Sequence, residues 1–297
     1  MEKTDRIVAG MMRLGSLGDQ DAFSFLDYLY DSGVRWFDHA DIYGGGRCEE
    51  LFGRWIQSRG HSRGDLVIQS KCGIVPGVCY DNSGEYIEKS VDGILSRLKC
   101  EYLDYILIHR PDVLWDPDDM NAAFTRLIKS GKIRAFGLSN CNSVQIDYLL
   151  SSMEHKPAIN QIQLSLAFAP SISEGLESNT YSDNGISRTM GVIDFCRCHG
   201  ITLQAWSPLQ YGTFAGTFLN NPAYEKLNGR LSELAYKYGV GKSAVAAAWI
   251  LRIPPHTQVV AGTCNRDHFA EMLKARDITI TRQEWYELYR CAGYALP

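Results

Sequence analysis

Long apolar runs are absent from this 297-residue sequence. No stretch approaches the about 20 consecutive apolar residues that a membrane-spanning helix needs. The first residues, MEKTDR, lead into an apolar strand without the apolar core of a signal peptide. A large excess of charge of one sign is also lacking, since the formal net charge is only −4. We therefore expect a cytoplasmic protein with no membrane or nucleic-acid partner, because such partners favour basic patches.

An even set of regularly spaced cysteines is also missing. The 9 cysteines are an odd number, scattered from Cys48 to Cys291, which is typical of reduced thiols rather than of a disulfide framework. The one cluster, Cys196–His199, ends an apolar segment and is followed by Gly200, a common helix stop. Because no second ligand pair lies at zinc spacing, we expect the end of a helix here and no metal site.

The first predicted strand is not followed by the Gly-x-Gly-x-x-Gly turn of a doubly wound sheet; Gly10–Gly15 reads GMMRLG. Short apolar, β-rich runs alternate instead with amphipathic helical patterns. The predicted strands are Arg6–Gly10, Val34–Asp38, Leu66–Lys71, Leu103–His109, Ile133–Leu138, Ala158–Gln163, Ile201–Trp206 and Gln258–Ala261. The helical patterns include Asp21–Asp31, Ile87–Leu98, Ala122–Lys129, Ile186–Cys198, Leu231–Tyr238 and Arg282–Arg290.

This alternation predicts an α/β fold of the (β/α)8 TIM-barrel type, with a doubly wound sheet as the alternative. The 45% hydrophobic content is enough for a full core. No linker rich in Pro, Gly or Ser interrupts the pattern, so we expect one domain over residues 1–297. The segment Ala167–Thr180, with two Ser-rich patches, is expected to be the least structured and to lie on the surface.

Catalytic groups of such barrels collect at the carboxyl ends of the strands. Six predicted strands carry polar or aromatic residues there, too many for chance. These residues are Asp38 with Tyr43 just beyond, Lys71, His109, Ser139 with Asn140, Asn160 with Gln161, and Trp206 with Ser207. The sequence therefore predicts one site to which several strands contribute.

Four of these residues suit proton transfer to an oxygen that becomes an alkoxide, which is the task in carbonyl reduction. An isolated phenol has a pKa of about 10. We expect the Lys71 ammonium to lower the pKa of Tyr43 and Asp38 to keep Lys71 charged. His109 would donate a hydrogen bond to a carbonyl oxygen. None of the four supplies a hydride, so a cofactor must do so.

Each residue also has a structural interpretation when it is taken alone. Tyr43 and Lys71 could be packed or surface side chains, and His109 a satisfied core residue. Trp206 could fill the core. Their joint occurrence at successive strand ends favours a site. A lyase or isomerase that forms a Schiff base on Lys71 is an alternative chemistry.

The ordered motifs cover nearly the whole chain. They are Gly33–Gly44 (GVRWFDHADIYG), Ser70-Lys71, Tyr102–His109 (YLDYILIH), Gly131–Asn140 (GKIRAFGLSN), Asn160-Gln161 and Trp206–Leu209 (WSPL). In this order they resemble the aldo-keto reductase superfamily, NAD(P)H-dependent oxidoreductases on a (β/α)8 barrel. The resemblance implies that Tyr43 is the general acid and that Asp38, Lys71 and His109 are its catalytic partners.

The resemblance also implies a cofactor site. Ser139, Asn140 and Gln161 would bond the nicotinamide carboxamide, and Trp206 would stack on its ring. Backbone at Ser207 and Leu209 would line the pyrophosphate. The implied residues at the adenosine end are Gly262, Thr263, Asn265, Arg266 and His268.

The preferred coenzyme depends on the cations at this adenosine end. Many NADPH-dependent members place Arg where this chain has His268, and often Lys where it has Gly262. A neutral His is a weak partner for a 2′-phosphate, and Arg266 is expected to take over. The resemblance favours NADPH, with NADH as the alternative.

The substrate pocket is expected to be open, because the chain stops at Pro297 soon after its last helical pattern. Its predicted wall is apolar and aromatic, which suits small-molecule aldehydes, ketones or quinones. The wall residues are Met11, Met12, Trp115, Phe168 and Tyr211. His39, where the family often has Thr or Ser, is expected in the barrel wall. The alternative function is a nucleotide-binding regulatory or accessory protein with little turnover. The sequence carries no signal for the oligomeric state.

Overall fold

The computed structural model describes residues 6–213 and 215–296. Its strands are β1 (Ile7–Gly10), β2 (Trp36–Asp38), β3 (Val67–Cys72), β4 (Ile74–Val75), β5 (Cys79–Tyr80), β6 (Leu103–Ile108), β7 (Ile133–Ser139), β8 (Ile159–Gln163), β9 (Thr202–Trp206) and β10 (Gln258–Ala261). Eight of them form a closed barrel in the order β1-β10-β9-β8-β7-β6-β3-β2, which confirms the predicted (β/α)8 fold. Most barrel residues are buried, as expected for a parallel sheet covered by helices.

Helices alternate with these strands, and several of them begin at a residue whose side chain caps the first turn. They are α1 (Asp19–Asp31), α2 (Arg47–Arg59), α3 (Gly84–Leu98), α4 (Pro117–Lys129), α5 (Ser143–Leu150), α6 (Pro170–Leu176), α7 (Val192–His199), α8 (Glu225–Tyr238), α9 (Lys242–Leu251), α10 (Arg266–Leu273) and α11 (Arg282–Cys291). Asp116 caps α4 ahead of Pro117, and Asn142 and Thr281 open α5 and α11 with capping boxes. No helix of the described segments is both long and apolar enough to cross a membrane.

The prediction for Ala167–Thr180 is wrong. This segment contains α6, whose residues Ser171, Ile172 and Ser173 are buried. Glu174 of α6 is also buried, and its carboxylate accepts backbone N–H groups from residues 188, 189 and 191. The helix is ordered by these distant partners, which the local serine content does not reveal.

Two smaller features are a hairpin and the end of a helix. The antiparallel hairpin of β4 and β5 follows β3 and was not predicted. The end of a helix at Cys196–His199 is confirmed: α7 stops at His199, and Gly200 has a left-handed φ of 69°. Glycine adopts this conformation without a Cβ penalty.

The chain divides into two compact units. The first unit comprises residues 8–161 and 262–264, and the second comprises the described parts of residues 1–7, 162–261 and 265–297. In the first unit, Phe37, Phe52 and Trp55 pack with ring centroids 4.8 to 6.2 Å apart. In the second unit, the indoles of Trp249 and Trp285 stack at 4.7 Å, and each donates its N–H to the other's carbonyl.

Candidate active site

The centre of the site in the first unit is a buried ammonium. Lys71 lies on β3 and is 1% exposed. Its Nζ donates to both carboxylate oxygens of Asp38, each at 2.7 Å, and to the carbonyl of His39 at 2.9 Å. The same Nζ lies 3.3 Å from the Tyr43 Oη. One cation therefore connects the carboxylate and the phenol that were predicted from the sequence to act together.

Asp38 is the last residue of β2 and is 2% exposed. Besides Lys71, its Oδ1 accepts the side-chain amides of Gln69 and Gln161, the latter at 3.0 Å. Gln69 faces Asp38 across the β2–β3 register. A buried carboxylate needs such donors, because burial without them costs several kcal/mol.

Tyr43 lies at the start of a tight turn, Tyr43–Gly46, between β2 and α2. Gly44, Gly45 and Gly46 have φ values of 59°, 64° and 94°, a region that favours glycine. At Gly46 space is also required, because a Cβ would lie 2.8 Å from the Cδ of Arg97. The three glycines thus let the turn close and fix where the phenol is placed.

Burial raises the pKa of Tyr43 above 10.0; the Lys71 ammonium opposes this and the Asp38 carboxylate adds to it. The Lys71 ammonium therefore acts on the pKa of Tyr43 in the expected direction, but burial outweighs it and the net shift is upward. Burial alone would lower the pKa of Lys71, but Asp38 and Tyr43 together raise it above 10.5. At neutral pH the site holds a neutral phenol beside a charged ammonium.

His109 follows β6, and its backbone N–H donates to the Cys72 carbonyl at 2.8 Å. Its ring meets the ring of Tyr43 edge-on, with centroids 6.0 Å apart. Burial, then Lys71 and Arg110, lower the pKa of His109 well below 6.5, so the imidazole is neutral. Its Nδ1 is buried and has no hydrogen-bond partner among residues 6–213 and 215–296.

His39 lies in the wall, as expected. Its ring is 0% exposed and meets the Phe52 ring edge-on at 4.7 Å. Burial, with a smaller contribution from Lys71, lowers the pKa of His39 to about 3. The imidazole is therefore neutral and packs in the core, and it is the backbone carbonyl of His39 that accepts a hydrogen bond from Lys71.

Three of the predicted nicotinamide contacts share one hydrogen-bond network in the first unit. The Ser139 Oγ donates to the Gln161 carbonyl at 2.9 Å and accepts the Asn140 Nδ2 at 2.9 Å. The Asn140 Nδ2 also donates to the His109 carbonyl at 3.2 Å. Asn140 has a φ of 62°, and nearby Asn160 donates to the Cys141 carbonyl at 2.9 Å. Their role toward nicotinamide stays a prediction.

The predicted contacts of the second unit lie on β9 and the loop after it. Trp206 ends β9 and is partly exposed. Ser207 has a φ of 51°, and its Oγ donates to the Gln210 side chain at 2.9 Å. The Leu209 carbonyl accepts from Thr217 Oγ1 at 2.9 Å. Trp206, Ser207 and Leu209 therefore lie at and just beyond the carboxyl end of β9, as predicted. Their roles in cofactor binding stay predictions.

The predicted adenosine-end residues follow β10. Gly262 and Thr263 are partly exposed, and the carbonyl of Gly262 accepts the Arg13 Nη1 at 2.7 Å. Asn265 uses its side chain as the N-cap of α10, accepting the His268 N–H at 3.0 Å. Arg266 and His268 are exposed on the first turn of α10. A cation on a helix N-terminus fits an anionic group such as a phosphate.

The predicted substrate wall is only partly accessible. Met11 is 0% exposed and its backbone N–H donates to the Asp38 carbonyl at 2.8 Å, so Met11 belongs to the core and its place in the wall is wrong. Met12 and Trp115 in the first unit are partly exposed. Phe168 and Tyr211 in the second unit are also partly exposed.

A buried ionic cluster beside Lys71 was not predicted from the sequence. Glu49 of α2 is 0% exposed and accepts the Ser70 Oγ at 2.6 Å and the Arg97 Nε at 2.7 Å. Asp41, whose backbone N–H donates to the Lys71 carbonyl at 3.0 Å, has a buried Oδ1 with no partner in the described residues. Burial and Glu49 raise the pKa of Asp41 to about 7. The available signal was a glutamate among the apolar positions of α2.

Comparison with known proteins identifies relatives over nearly the whole chain. Residues 6–292 match the model of the Aldo/keto reductase family. The chain is 32% identical to Oxidoreductase YdhF of Escherichia coli (strain K12), over 98% of this chain and 95% of that protein. It is 32% identical to the 6-dehydroglucose reductase of Agrobacterium fabrum, over 97% of this chain and 94% of that protein.

A solved structure is similar to the fold. The crystal structure of an aldo-keto reductase from Klebsiella pneumoniae in complex with NADPH has a TM-score of 0.76 and 23% sequence identity. The match covers 98% of this chain and 92% of that chain. At this identity the likeness supports the barrel, whereas the family is shown by the sequence matches.

Proposed function

Because this chain belongs to the aldo/keto reductase family of oxidoreductases, we propose that it reduces aldehydes or ketones to alcohols with NADPH, using Tyr43 as the proton donor. One observation carries the proposal: a buried Lys71 ammonium lies within hydrogen-bond distance of both the Asp38 carboxylate and the Tyr43 hydroxyl. A phenol next to a fixed cation can lose its proton to an adjacent oxygen and remain stabilised as phenolate.

The coenzyme is proposed from the family and from the residues present. NADPH supplies the hydride to the carbonyl carbon when it is bound. Ser139, Asn140 and Gln161 would hold the carboxamide, and the exposed Arg266 fits an anionic phosphate. The other residues assigned to coenzyme binding are Trp206, Ser207, Leu209, Gly262, Thr263, Asn265 and His268. NADH is the alternative coenzyme, since Gly262 and His268 supply no permanent cation.

The protein's own groups handle the proton. The neutral phenol of Tyr43 donates to the carbonyl oxygen, while the neutral imidazole of His109 donates a hydrogen bond that orients the same oxygen. Lys71 stabilises the phenolate that remains, and Asp38 keeps Lys71 charged and in place. The raised pKa of Tyr43, which burial causes, suits this order because the phenol rests in its protonated form.

The substrate class follows from the same site. The alkoxide is the group that Tyr43 and His109 protonate and bind, so the substrate is a carbonyl compound. A relative with 32% identity is named a 6-dehydroglucose reductase, and a reductase is the kind of enzyme that this site supports. We propose that the substrates are small or medium aldehydes and ketones. We also propose that residues 1–297 form a single domain.

The direct test replaces the proton donor. Tyr43→Phe should lower kcat about 10²- to 10⁴-fold across a panel of aldehydes and ketones, while NADPH still quenches tryptophan fluorescence. Tyr148→Phe is the control, because Tyr148 is an exposed phenol on α5. Wild-type turnover by the Tyr43→Phe variant would refute the assignment of Tyr43.

The accessory-protein alternative gives a different result. Such a protein would bind NADPH in the fluorescence titration and oxidise none of it with the same panel. A borohydride trap that modifies Lys71 in the presence of substrate would support the Schiff-base alternative instead.

A further inference from the structure

The feature behind this inference is the side chain of Arg13, which follows β1 in the first unit. The backbone there is fixed at both ends. The Met11 N–H donates to the Asp38 carbonyl at 2.8 Å, and the Arg13 carbonyl accepts the N–H and the Oγ of Ser16 at 3.1 and 2.7 Å. Arg13 is exposed. Its side chain therefore leaves a hydrogen-bonded turn that adjoins the strand of Asp38.

The guanidinium of Arg13 reaches the residue after β10. Its Nη1 donates to the Gly262 carbonyl at 2.7 Å. A Cβ on Gly262 would lie 3.1 Å from this Nη1, closer than ordinary van der Waals contact. The glycine thus provides the space in which Arg13 lies, and the hydrogen bond holds the guanidinium at the Gly262 carbonyl.

The charge of Arg13 is not neutralised within the described residues. No carboxylate there forms an ion pair with it, and the Gly262 carbonyl is its one hydrogen-bond acceptor. Arg47 and Arg54 of α2, in contrast, share the carboxylate of Asp19 at 3.1 and 2.7 Å. A guanidinium has five N–H donors in a planar fork. Most of them remain available to an anion, and the fork geometry matches a phosphate.

We propose that Arg13 binds a phosphate group of the dinucleotide coenzyme, an inference that rests on the proposed NADPH-dependent function. Gly262 and His268 supply no permanent cation, and Arg13 brings one to Gly262 from a different strand. Gly262 and Arg13 then act as a pair: position 262 carries no cationic side chain, and the glycine leaves space for the guanidinium of Arg13, which supplies the positive charge instead. The phosphate is either the diphosphate or the 2′-phosphate, and the two coenzymes distinguish them.

The experiment titrates wild type, Arg13→Gln and Arg13→Lys with NADPH and with NADH, following tryptophan fluorescence at low and high salt. Loss of a charge-assisted hydrogen bond should weaken binding by Arg13→Gln roughly 10- to 100-fold and flatten its salt dependence. Arg13→Lys should lose less, because it keeps the charge without the fork. Equal losses for both coenzymes identify the diphosphate, and a loss for NADPH alone identifies the 2′-phosphate.

Two further variants keep the result interpretable. Arg126→Gln removes an exposed arginine from α4, where it pairs with Glu88, and should bind both coenzymes as wild type does. Gly262→Ala leaves Arg13 in place but crowds its guanidinium, so it should weaken binding even if Arg13→Gln does not fold. Wild-type affinity of Arg13→Gln for both coenzymes would overturn the inference alone. Failure of wild type to bind either coenzyme would overturn the proposed function with it.

Discussion

At the residue scale, the site combines a neutralised ion pair with a carboxylate that is not neutralised. Lys71 and Asp38 satisfy each other, which keeps the ammonium charged in the core. Asp41 follows shortly after Asp38 in the chain and has no such partner for its Oδ1 in the described residues. The four catalytic candidates could be predicted because their types recur at strand ends. Asp41 and Arg13 could not, since their significance depends on contacts that the fold creates.

The buried pair itself can be tested with a double-mutant cycle. Lys71→Met should lower the free energy of unfolding by about 3 to 5 kcal/mol, because it leaves Asp38 without its counter-charge. Adding Asp38→Asn should recover much of this loss, since both charges are then removed. Urea unfolding of the two single variants and the double variant measures the coupling. Additive losses in the double variant would show that the two residues do not form a coupled pair.

Asp41 should also make stability depend on pH. Burial and Glu49 raise its pKa from 3.8 to about 7 in the folded protein, so the folded state binds more protons than the unfolded state between these values. Stability should therefore fall as pH rises from about 4 to 7, by an amount on the order of 1–3 kcal/mol from this group. Asp41→Asn should remove that fall. Urea unfolding at pH 5 and pH 8 measures it, and an identical pH dependence of both proteins would contradict the role of Asp41.

At the element scale, strands were easier to predict than the helices between them. β10 has the bounds that were predicted, Gln258–Ala261, and the other barrel strands differ from prediction by one or two residues at their ends. The error at α6 has a different origin. Its sequence, PSISEGL, has no strong helical pattern, and the helix is supported instead by Glu174, whose carboxylate accepts the backbone N–H groups of residues 188, 189 and 191. Support of this kind is tertiary, so local patterns do not reveal it.

This support for α6 can be measured. Glu174→Gln should lower the free energy of unfolding by about 1–3 kcal/mol, because a carboxylate that accepts three backbone N–H groups becomes a neutral amide. Burial alone would raise the pKa of Glu174, but its hydrogen bonds with Thr189 and the nearby backbone lower it below 4.5. Its contribution is therefore present above that pH and is lost as pH falls below it. Urea unfolding at pH 7 tests the loss. Glu85→Gln, at the start of α3, is a matched control expected to change little.

At the scale of the whole molecule, the alternation of strands and helices was enough to predict the barrel, because only a few folds satisfy that order. The reduced state of the thiols could be predicted as well. All 9 cysteines are free, and Cys79 and Cys198 are exposed while the rest are buried or partly buried. Hydrophobic packing and hydrogen bonds, without cross-links, therefore hold the fold.

A thiol count tests this description. Titration with an aromatic disulfide should find Cys79 and Cys198 reacting rapidly in the native protein and nine thiols in denaturant. The midpoint of thermal unfolding should not change when a reductant is added. A Cys79→Ser, Cys198→Ser double variant should lose the fast phase. Fewer than nine thiols in denaturant, recovered by a reductant, would reveal a disulfide.

The three left-handed glycines after Tyr43 have a consequence for engineering. A library built to change the substrate range of this protein would sensibly randomise the side chains around the phenol. Gly44, Gly45 and Gly46 should be kept constant in it, since a side chain strains the backbone at each and meets Arg97 at Gly46. Diversity is better placed at partly exposed positions such as Met12. The turn that positions Tyr43, the proposed proton donor, should therefore stay constant while the positions around it are varied.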